Sequence, residues 1–509
     1  MALLGSIIKT AIDLRGALVS EKSPVEAQQE VLKNLLEKAK NTAFGKYYGF
    51  AKILEADDIE KAFSEKIPYF DYHEMEAEWW GKTQEGLDDI CWPGKPTYFA
   101  RSSGTTGKTS KRIPVTDEMI EAIRATGIKQ IGALTNFDIP SDFYDKEIMM
   151  LGSSTNLEKH DEFLEGEISG ISASNIPFWF RGFYKPGEEI ALMEDWDEKV
   201  ETIAKRAREW DIGALSGIPS WVELMLKKVI EYHHAKNIHE IWPNLQVYTT
   251  GGVAFQPYEK SFNQLLARPI TVIDTYLASE GFLAYQQRPD TTSMKLVTDN
   301  GIYFEFVPFK PEYINEDGSL SQDAPAVTLA EVEKDTDYVL LISTVSGAWR
   351  YLIGDTIAFT DIEKAEIKIT GRTKFFLNVV GSQLSVNKME VALREMEEKF
   401  DIKIPEFTIA AIQINGEYFH HWYLGTETNI NPEEIATALD EALKGANRNY
   451  DRTRSKLLKG VKVTTVNPNV FHEWSAHNKK KGGQVKMEKV MNEEKFAEWE
   501  DFVKKQVGQ

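Results

Sequence analysis

"RSSGTTGKTSKRIP", residues 101–114, decides how this chain is read. It comes within one residue of the Walker A pattern G-x-x-x-x-G-K-[ST]. Gly107, Lys108 and Thr109 fill the last three places, and Ser102 stands where the first glycine belongs. A Walker loop works because a helix begins at its Gly-Lys-Ser/Thr and turns its N-terminal amides toward phosphate. Here Pro114 would fall inside that helix and break it. The next helix start is Thr116, an N-cap candidate with Asp117 and Glu118 in the first turn. The stretch is therefore predicted to be a hairpin loop between "TYFARS" and "KRIPVT". Its Ser, Gly and Thr residues, with Lys108 and Lys111 nearby, still offer amides, hydroxyls and charge to a polyphosphate. Taken alone, the loop reads more simply as a turn.

The chain around it has 509 residues, enough for two or three domains. It is 42% hydrophobic, 27% charged and 11% aromatic, a globular composition. The formal net charge of −20 argues against nucleic acid as a partner, since phosphate-backbone binding needs clustered Lys and Arg. No segment is apolar enough to span a membrane. "MALLGSIIKTAIDLRGALVS" is interrupted by Lys9, Asp13 and Arg15, and reads as a docked amphipathic helix rather than a signal peptide. Cys91 is the single cysteine, so no intramolecular disulfide forms, and a reducing, cytoplasmic setting is expected. Beside Trp92 and Pro93 it reads as a small buried hydrophobe.

Through the middle of the chain helical and strand-like segments alternate. "WDEKVETIAKRAREW", "SWVELMLKKVIEYHHAK" and "EKSFNQLLA" have helical periodicity; "IGALSG", "LQVYTTGG" and "PITVIDTY" read as strands between them. This is the βαβ pattern of a largely parallel sheet, an α/β fold. "GIYFEFVPF", "DYVLLIST" and "DTIAFTD" then predict antiparallel sheet packed beside that body. From about residue 375 an α+β unit follows, with helices "SVNKMEVALREMEEKF" and "NPEEIATALDEALKGANRNYDRTRS" and strands "EFTIAAIQI" and "GVKVTTV". The boundary is placed in "ITGRTKFFLNVVG" (369–381).

Further segments carry possible chemistry. "YTTGGVAF" (248–255) ends a strand at Gly251 and Gly252, where a planar ring could lie on bare backbone or a plain turn could sit. "DTYLASEGF" (274–282) puts Tyr276, Ser279 and Glu280 just past another strand, and open parallel sheets bind ligands at such ends. By themselves Glu280 reads equally as a solvated loop carboxylate and Tyr276 as a rim aromatic. "WRYLIGDTIAF" (349–359) sets Asp355 after Gly354; a carboxylate there suits two ribose hydroxyls, or an Asx-turn.

Together with "GRTKFFLNVVG" and the glycine-flanked "KKKGGQVKMEK", these segments occur in the order found in adenylate-forming enzymes. The chain resembles the plant auxin- and jasmonate-responsive acyl acid–amido synthetases. That branch belongs to the superfamily of acyl-CoA synthetases, nonribosomal-peptide adenylation domains and luciferase. The resemblance covers most of the chain, from "KIPYFDYHEM" (66–75) and the loop at 101–114 through "YLASE" and "RYLIGD". It ends in "LDEALKGANRNYDRTR", where Leu439, Leu443, Asn447, Tyr450 and Arg454 look like the branch's own helix. The resemblance implies a large N-terminal adenylate-forming domain, 1–374, that binds ATP and the acyl substrate. Its sheets would be mainly parallel, with helices and a β-barrel-like subdomain. A small mobile α+β C-terminal domain, 375–509, would carry the catalytic lysine, with a hinge around Lys374 and Phe375.

The resemblance also implies a reaction. ATP and Mg²⁺ convert a carboxylic acid to an acyl-adenylate with release of pyrophosphate, and the amine of an amino acid then attacks to give an amide and AMP. A carboxylate repels nucleophiles; joining it to AMP removes the charge and supplies a leaving group. On this pattern Ser102, Ser103, Gly104, Thr105 and Thr106 hold the outer phosphates with Lys111. Tyr276 packs on adenine against Gly251 and Gly252, and Ser279 reaches the α-phosphate. Glu280 holds Mg²⁺, while Asp355 takes the ribose hydroxyls with Arg372 close by. Lys486 resembles the mobile lysine that bridges α-phosphate and substrate carboxylate; Lys489 is its rival in the same charged tail.

The chain departs from the plant pattern at Leu352, where relatives carry a second arginine, and at Met487, Glu488 and Lys489, where they carry Thr-Pro-Arg. Lys108 replaces a small residue. These departures put the plant enzymes' acid and amino-acid preferences out of reach. "SGIPSWVELM" (216–225) and "ISASNIPFWF" (171–180) are candidate acyl-pocket walls, or ordinary core. The histidines make no metal set: "HHAKNIH" lacks a zinc-helix pair, and His420–His421 stand isolated in a strand. No G-x-S-x-G elbow is present. The alternative activity is a thioester-forming ligase with coenzyme A or a carrier-protein thiol as acceptor.

Overall fold

Pro114 lies in a strand. The computed structural model describes residues 22–102, 111–177, 180–252, 255–313, 320–373, 376–377, 384–414, 417–428, 430–446, 450–451, 454, 458–477, 487–491 and 493–507. The first six strands are β1 (Tyr98–Ser102), β2 (Lys111–Val115), β3 (Glu147–Leu151), β4 (Glu158–Lys159), β5 (Leu164–Gly166) and β6 (Tyr184–Lys185). β1 and β2 are the antiparallel arms of the predicted hairpin, with Phe99 opposite Pro114 and Ser102 opposite Lys111. They form a four-stranded sheet in the order β2-β1-β5-β4. The helix Asp117–Ala133 follows, and its Thr116 N-cap accepts from the Met119 amide as expected.

The next strands are β7 (Ile212–Gly217), β8 (Val247–Gly251), β9 (Thr271–Ala278), β10 (Gly281–Tyr285), β11 (Met294–Leu296), β12 (Ile302–Pro308), β13 (Asp337–Thr344), β14 (Tyr351–Asp361) and β15 (Glu366–Arg372). With β3 and β6 they make one sheet in the order β12-β13-β14-β15-β11-β10-β9-β8-β7-β3-β6. From β6 to β9 the ladder is parallel; from β9 through β10 to β11 it is antiparallel. The antiparallel strands are thus hydrogen-bonded onto the parallel ones, where the sequence pattern placed them beside that body. The reversal happens at the β9–β10 hairpin, which turns the chain back along its own strand. Helices Trp196–Arg206 and Pro219–Tyr232 cover the parallel part, burying Ile203, Val222, Met225 and Leu226 against Leu215 and Tyr248. Asp195 caps the first by accepting from the Glu198 amide.

By contact density the chain forms two compact units, 1–308 with 325–353 and 358–368, and 309–324 with 354–357 and 369–509. The second contains a short hairpin, β16 (Phe376–Leu377) with β17 (Leu384–Ser385), and a sheet of β18 (Glu406–Ile414), β19 (Glu417–Gly425) and β20 (Leu458–Val466). β18 and β19 are antiparallel; β20 returns parallel to β19 after the helix Pro432–Ala446. Strand alternation sorts the core. Ile409 and Trp422 pack with Leu393, Met396 and Leu439 on one face, while Ala410 and Tyr423 pack with Phe471, Phe496 and Trp499 on the other. The N-terminal segment 1–20 and the hinge residues Lys374 and Phe375 lie outside the described residues. No helix among the described residues is long and apolar enough to cross a membrane.

Candidate active site

The hairpin bearing the Ser/Gly/Thr loop is pinned at its base. Lys111 Nζ lies 5.5 Å from the centre of the Tyr72 ring, within cation–π reach. The Tyr72 hydroxyl accepts from the Arg112 amide at 3.0 Å. Arg112 Nε donates to Glu165 at 2.9 Å, and Arg101 Nε and His160 Nε2 stand 3.6 and 3.0 Å from the same carboxylate. Glu165 is buried on β5, so the two half-exposed arginines fix the stem to a carboxylate held away from solvent. Ser102 ends β1. Ser103, Gly104, Thr105 and Thr106 lie outside the described residues.

β8 and β9 end side by side, with Gly251 opposite Thr275. A Cβ on Gly251 would stand 2.6 Å from Thr275 Oγ1 and 3.0 Å from the Thr275 carbonyl oxygen. That hydroxyl is held in place, donating to the Thr250 carbonyl at 2.8 Å. Gly252 then leaves the strand with φ 83°, a left-handed turn that suits glycine. The two glycines thus add no side chain of their own at this strand end, and Thr275 Oγ1 fills the place beside Gly251.

β9 continues to Ala278, two residues beyond the predicted strand "PITVIDTY", so Tyr276 lies inside the strand and not just past it. Pairing with β10 extends the ladder: Ala284 lies opposite Tyr276 and Gly281 opposite Ala278. Ser279 and Glu280 are the two residues of this hairpin turn. Tyr276 and Glu280 are buried and Ser279 is half-buried. Gly251 shares a sheet face with Thr275, and Tyr276 faces the other way. Asp274 shares the Tyr276 face by the same alternation, and burial pushes its carboxyl up to about 6. Sequence reading passed over Asp274; an acid inside the apolar run "TVIDTY", two residues before Tyr276, was the signal available.

Of the expected acyl-pocket walls, Gly217 ends β7 and its carbonyl accepts from the Tyr248 hydroxyl at 3.0 Å, beside the end of β8. Val222 and Met225 are wholly buried core. Ile171–Ser174 is helical, and Phe178 and Trp179 lie outside the described residues.

In the second unit Asp355 is buried within β14, directly after Gly354 at φ 89°. The Gly354 carbonyl accepts from the Thr373 amide at 2.8 Å, which holds this left-handed kink. Arg372 ends β15; its side chain is outside the described set. Lys486 also lies outside it. Its rival Lys489 is engaged elsewhere: Nζ stands 2.7 Å from Glu406 and 4.6 Å from the centre of the Phe407 ring. Among the described residues no cluster of His, Cys, Asp or Glu forms a metal site of three or more. Cys91 is buried, and burial pushes its thiol far up.

The architecture is shared with known structures. Superposed on the GH3.15 acyl acid amido synthetase it gives a TM-score of 0.77 at 16% identity, covering 96% of this chain and 95% of that one. On 2-hydroxyisobutyryl-CoA ligase in the postadenylation state it gives 0.58 at 12% identity, covering 94% and 92%. At such identities the likeness is one of fold, and the fold is the one these two enzymes share. Family models then narrow it. The GH3 family N-terminal domain matches residues 18–186 and 158–269, the central domain 295–372, and the C-terminal domain 387–495. The chain belongs to the GH3 family.

Among its relatives, an indole-3-acetic acid-amido synthetase, GH3.8, of Oryza sativa subsp. indica is 25% identical over 275 residues. The match takes in 50% of this chain and 44% of that protein, less than half its length. A jasmonoyl–L-amino acid synthetase, GH3.5, of Oryza sativa subsp. japonica is 21% identical and is matched over 91% of each chain.

Proposed function

We propose that this chain is an ATP-dependent ligase that adenylates a carboxylic acid and passes the acyl group to the amine of an amino acid. One observation carries the reading. In a GH3-family chain, Gly251 and Gly252, Tyr276 and the Ser279–Glu280 turn all lie within two residues of the carboxyl ends of the neighbouring strands β8 and β9. A nucleotide base needs a flat, side-chain-free edge, and its phosphates need donors beside it. Tyr276 and Gly252 supply the edge. Ser279, the loop after Ser102 and Lys111 supply the donors. Asp355 would take the ribose hydroxyls, with Arg372.

Mg²⁺, when bound, supplies charge at the phosphoryl oxygens. Glu280, a buried carboxylate held in a two-residue turn, fits the part of its ligand. Lys486 neutralises charge at the α-phosphate and substrate carboxylate as they join. It rides in the C-terminal domain, 375–509, which turns about the Lys374–Phe375 hinge relative to 1–374. Limited proteolysis with and without ATP plus acid should change at that junction; an identical pattern counts against the turn.

The first test is a panel of carboxylic acids, indole-3-acetic and jasmonic acids included, assayed with MgATP for pyrophosphate release and then with each amino acid for amide. Lys486→Ala should cut adenylation on the order of 100-fold while ATP still binds. Adenylation at wild-type rate in that variant would overturn its role. The second reading, a thioester-forming ligase, is kept by the fold shared with 2-hydroxyisobutyryl-CoA ligase. Both share the first half-reaction. Preformed acyl-adenylate offered amine or thiol separates them, and family membership favours the amine.

A further inference from the structure

Residues 487–491 are laid along the outer edge of β18. Ile409 N donates to the Lys489 carbonyl and Met491 N to the Ile409 carbonyl, each at 2.9 Å, a parallel bridge between Ile409 and Val490. The buried Thr408 hydroxyl donates to the Glu488 carbonyl at 2.8 Å. Lys489 closes the same seam from its side chain, paired with Glu406 at 2.7 Å over the Phe407 ring. It also acts on Glu390 of the helix Val386–Phe400, whose carboxyl burial pushes up and Lys489 pulls back down. Glu488 is tied in turn to Lys495 of the last helix. The ammonium of Lys489 thus serves two carboxylates of its own unit, and its pair with Glu406, beside the buried Val490 and Met491, selects which residue of 487–491 sits there.

We propose that Lys489 is a positioning residue: its ion pair with Glu406 fixes the register of 487–491 on β18 and thereby sets the reach of Lys486, three residues earlier. This rests on the reading of Lys486 given above. Three residues extend at most about 11 Å. A register slip of one moves the chain by about 3.3 Å and turns each side chain to the opposite face. An ammonium that must meet a phosphoryl oxygen at hydrogen-bond distance does not tolerate that; misplacement by about 1 Å already costs on the order of 100-fold.

The test uses the full chain and the acid that gives the greatest pyrophosphate release with wild type. Lys489→Met and Glu406→Gln should each lower the kcat of adenylation by about 10- to 100-fold with KM for ATP within about twofold. Lys489→Arg, which keeps the charge facing both Glu406 and Glu390, should stay within about threefold of wild type. Amide formation from preformed acyl-adenylate should be unchanged in all three. Hydrogen exchange at the Ile409 and Met491 amides reports the seam directly, and should quicken in Lys489→Met. Adenylation kcat within about twofold of wild type in Lys489→Met overturns the proposal, as does a Glu406→Gln variant that keeps the wild-type rate. An active Lys489→Met beside an inactive Lys486→Ala sinks the anchor alone, whereas an active Lys486→Ala sinks the reading it rests on.

Discussion

Arg350 in the larger unit and Arg454 in the smaller one each lie in a segment by which the family is recognisable, and each is locked to a carboxylate. The two clamps are built differently. Arg350 donates from Nε to Glu305 at 2.9 Å, with both side chains 4% exposed. Its Nη1 donates to the carbonyls of Ser64 and Ile67 at 2.7 and 2.5 Å, and its guanidinium lies 4.6 Å from the centre of the Tyr69 ring. Phe70 and Leu352 complete the seam with backbone bonds, Phe70 N to the Arg350 carbonyl and Leu352 N to the Phe70 carbonyl. Arg454 instead grips Asp440 with two bonds, Nε to Oδ1 at 2.6 Å and Nη2 to Oδ2 at 2.8 Å. Asp440 also accepts from the Tyr450 hydroxyl at 2.6 Å and pairs with Lys444 at 3.1 Å. The first clamp is dry, and its carboxylate has one cation among the described residues; the second has three donors on one carboxylate and is partly wet. Loss of one partner is all-or-none in the first and graded in the second.

Stability measurements can break that contrast. Arg350→Met strands the Glu305 carboxyl, which burial already pushes up against the pull of Arg350. The expected cost is about 3–5 kcal/mol in denaturant melts. Arg350→Met with Glu305→Met should recover most of it, since two apolar side chains of similar size leave no charge behind. Arg454→Met leaves Asp440 with Tyr450 and Lys444, so the expected loss is about 1–3 kcal/mol. A larger loss at Arg454 than at Arg350 would refute the distinction between a dry clamp and a shared one.

What local patterns carry was legible, and what distant partners decide was not. Pro114 and Thr116 alone gave the β1–β2 hairpin and the helix start behind it. β9 outruns the predicted "PITVIDTY" by two residues, Leu277 and Ala278, because its length is set by pairing with β10, a partner that local periodicity does not contain. The joining of parallel and antiparallel strands into one sheet was hidden for the same reason. Arg350 drew no notice because its partner is 45 residues away in sequence. Tyr450 and Arg454 were legible as marks of a family helix, yet their shared hold on Asp440 belongs to tertiary structure. The candidate site divides the same way: the glycines and the Ser-Glu turn are local signals, whereas Asp274 gains its shifted carboxyl only from burial.

The smallest expected effect sharpens the comparison, because acid acts on the two units with opposite sign. His420 lies in β19 with both ring nitrogens buried and without hydrogen-bond partners among the described residues. Burial, helped by the Arg454 charge, lowers its pKa to about 3, so it is neutral in the fold. An unfolded histidine titrates near 6.5, as a group that the unfolded chain protonates first. Its contribution is therefore complete above about 6.5 and is lost as pH falls toward 3. Asp274 runs the other way: raised to about 6 by burial, it contributes fully below its unfolded value near 4 and loses that contribution as pH rises through 6. Between pH 7 and 6 the first effect costs less than about 1 kcal/mol and the second returns a few tenths. Hydrogen exchange in β18–β20 should quicken as pH is lowered from 7 to 5, after correction for intrinsic rates, while the β7–β9 amides hold. His420→Leu should flatten the response of the small unit and leave the large one as it was. An acid response of β18–β20 that survives that substitution would place the sensitive group elsewhere, and His421, buried beside Thr464 and Glu500, would be the next to replace.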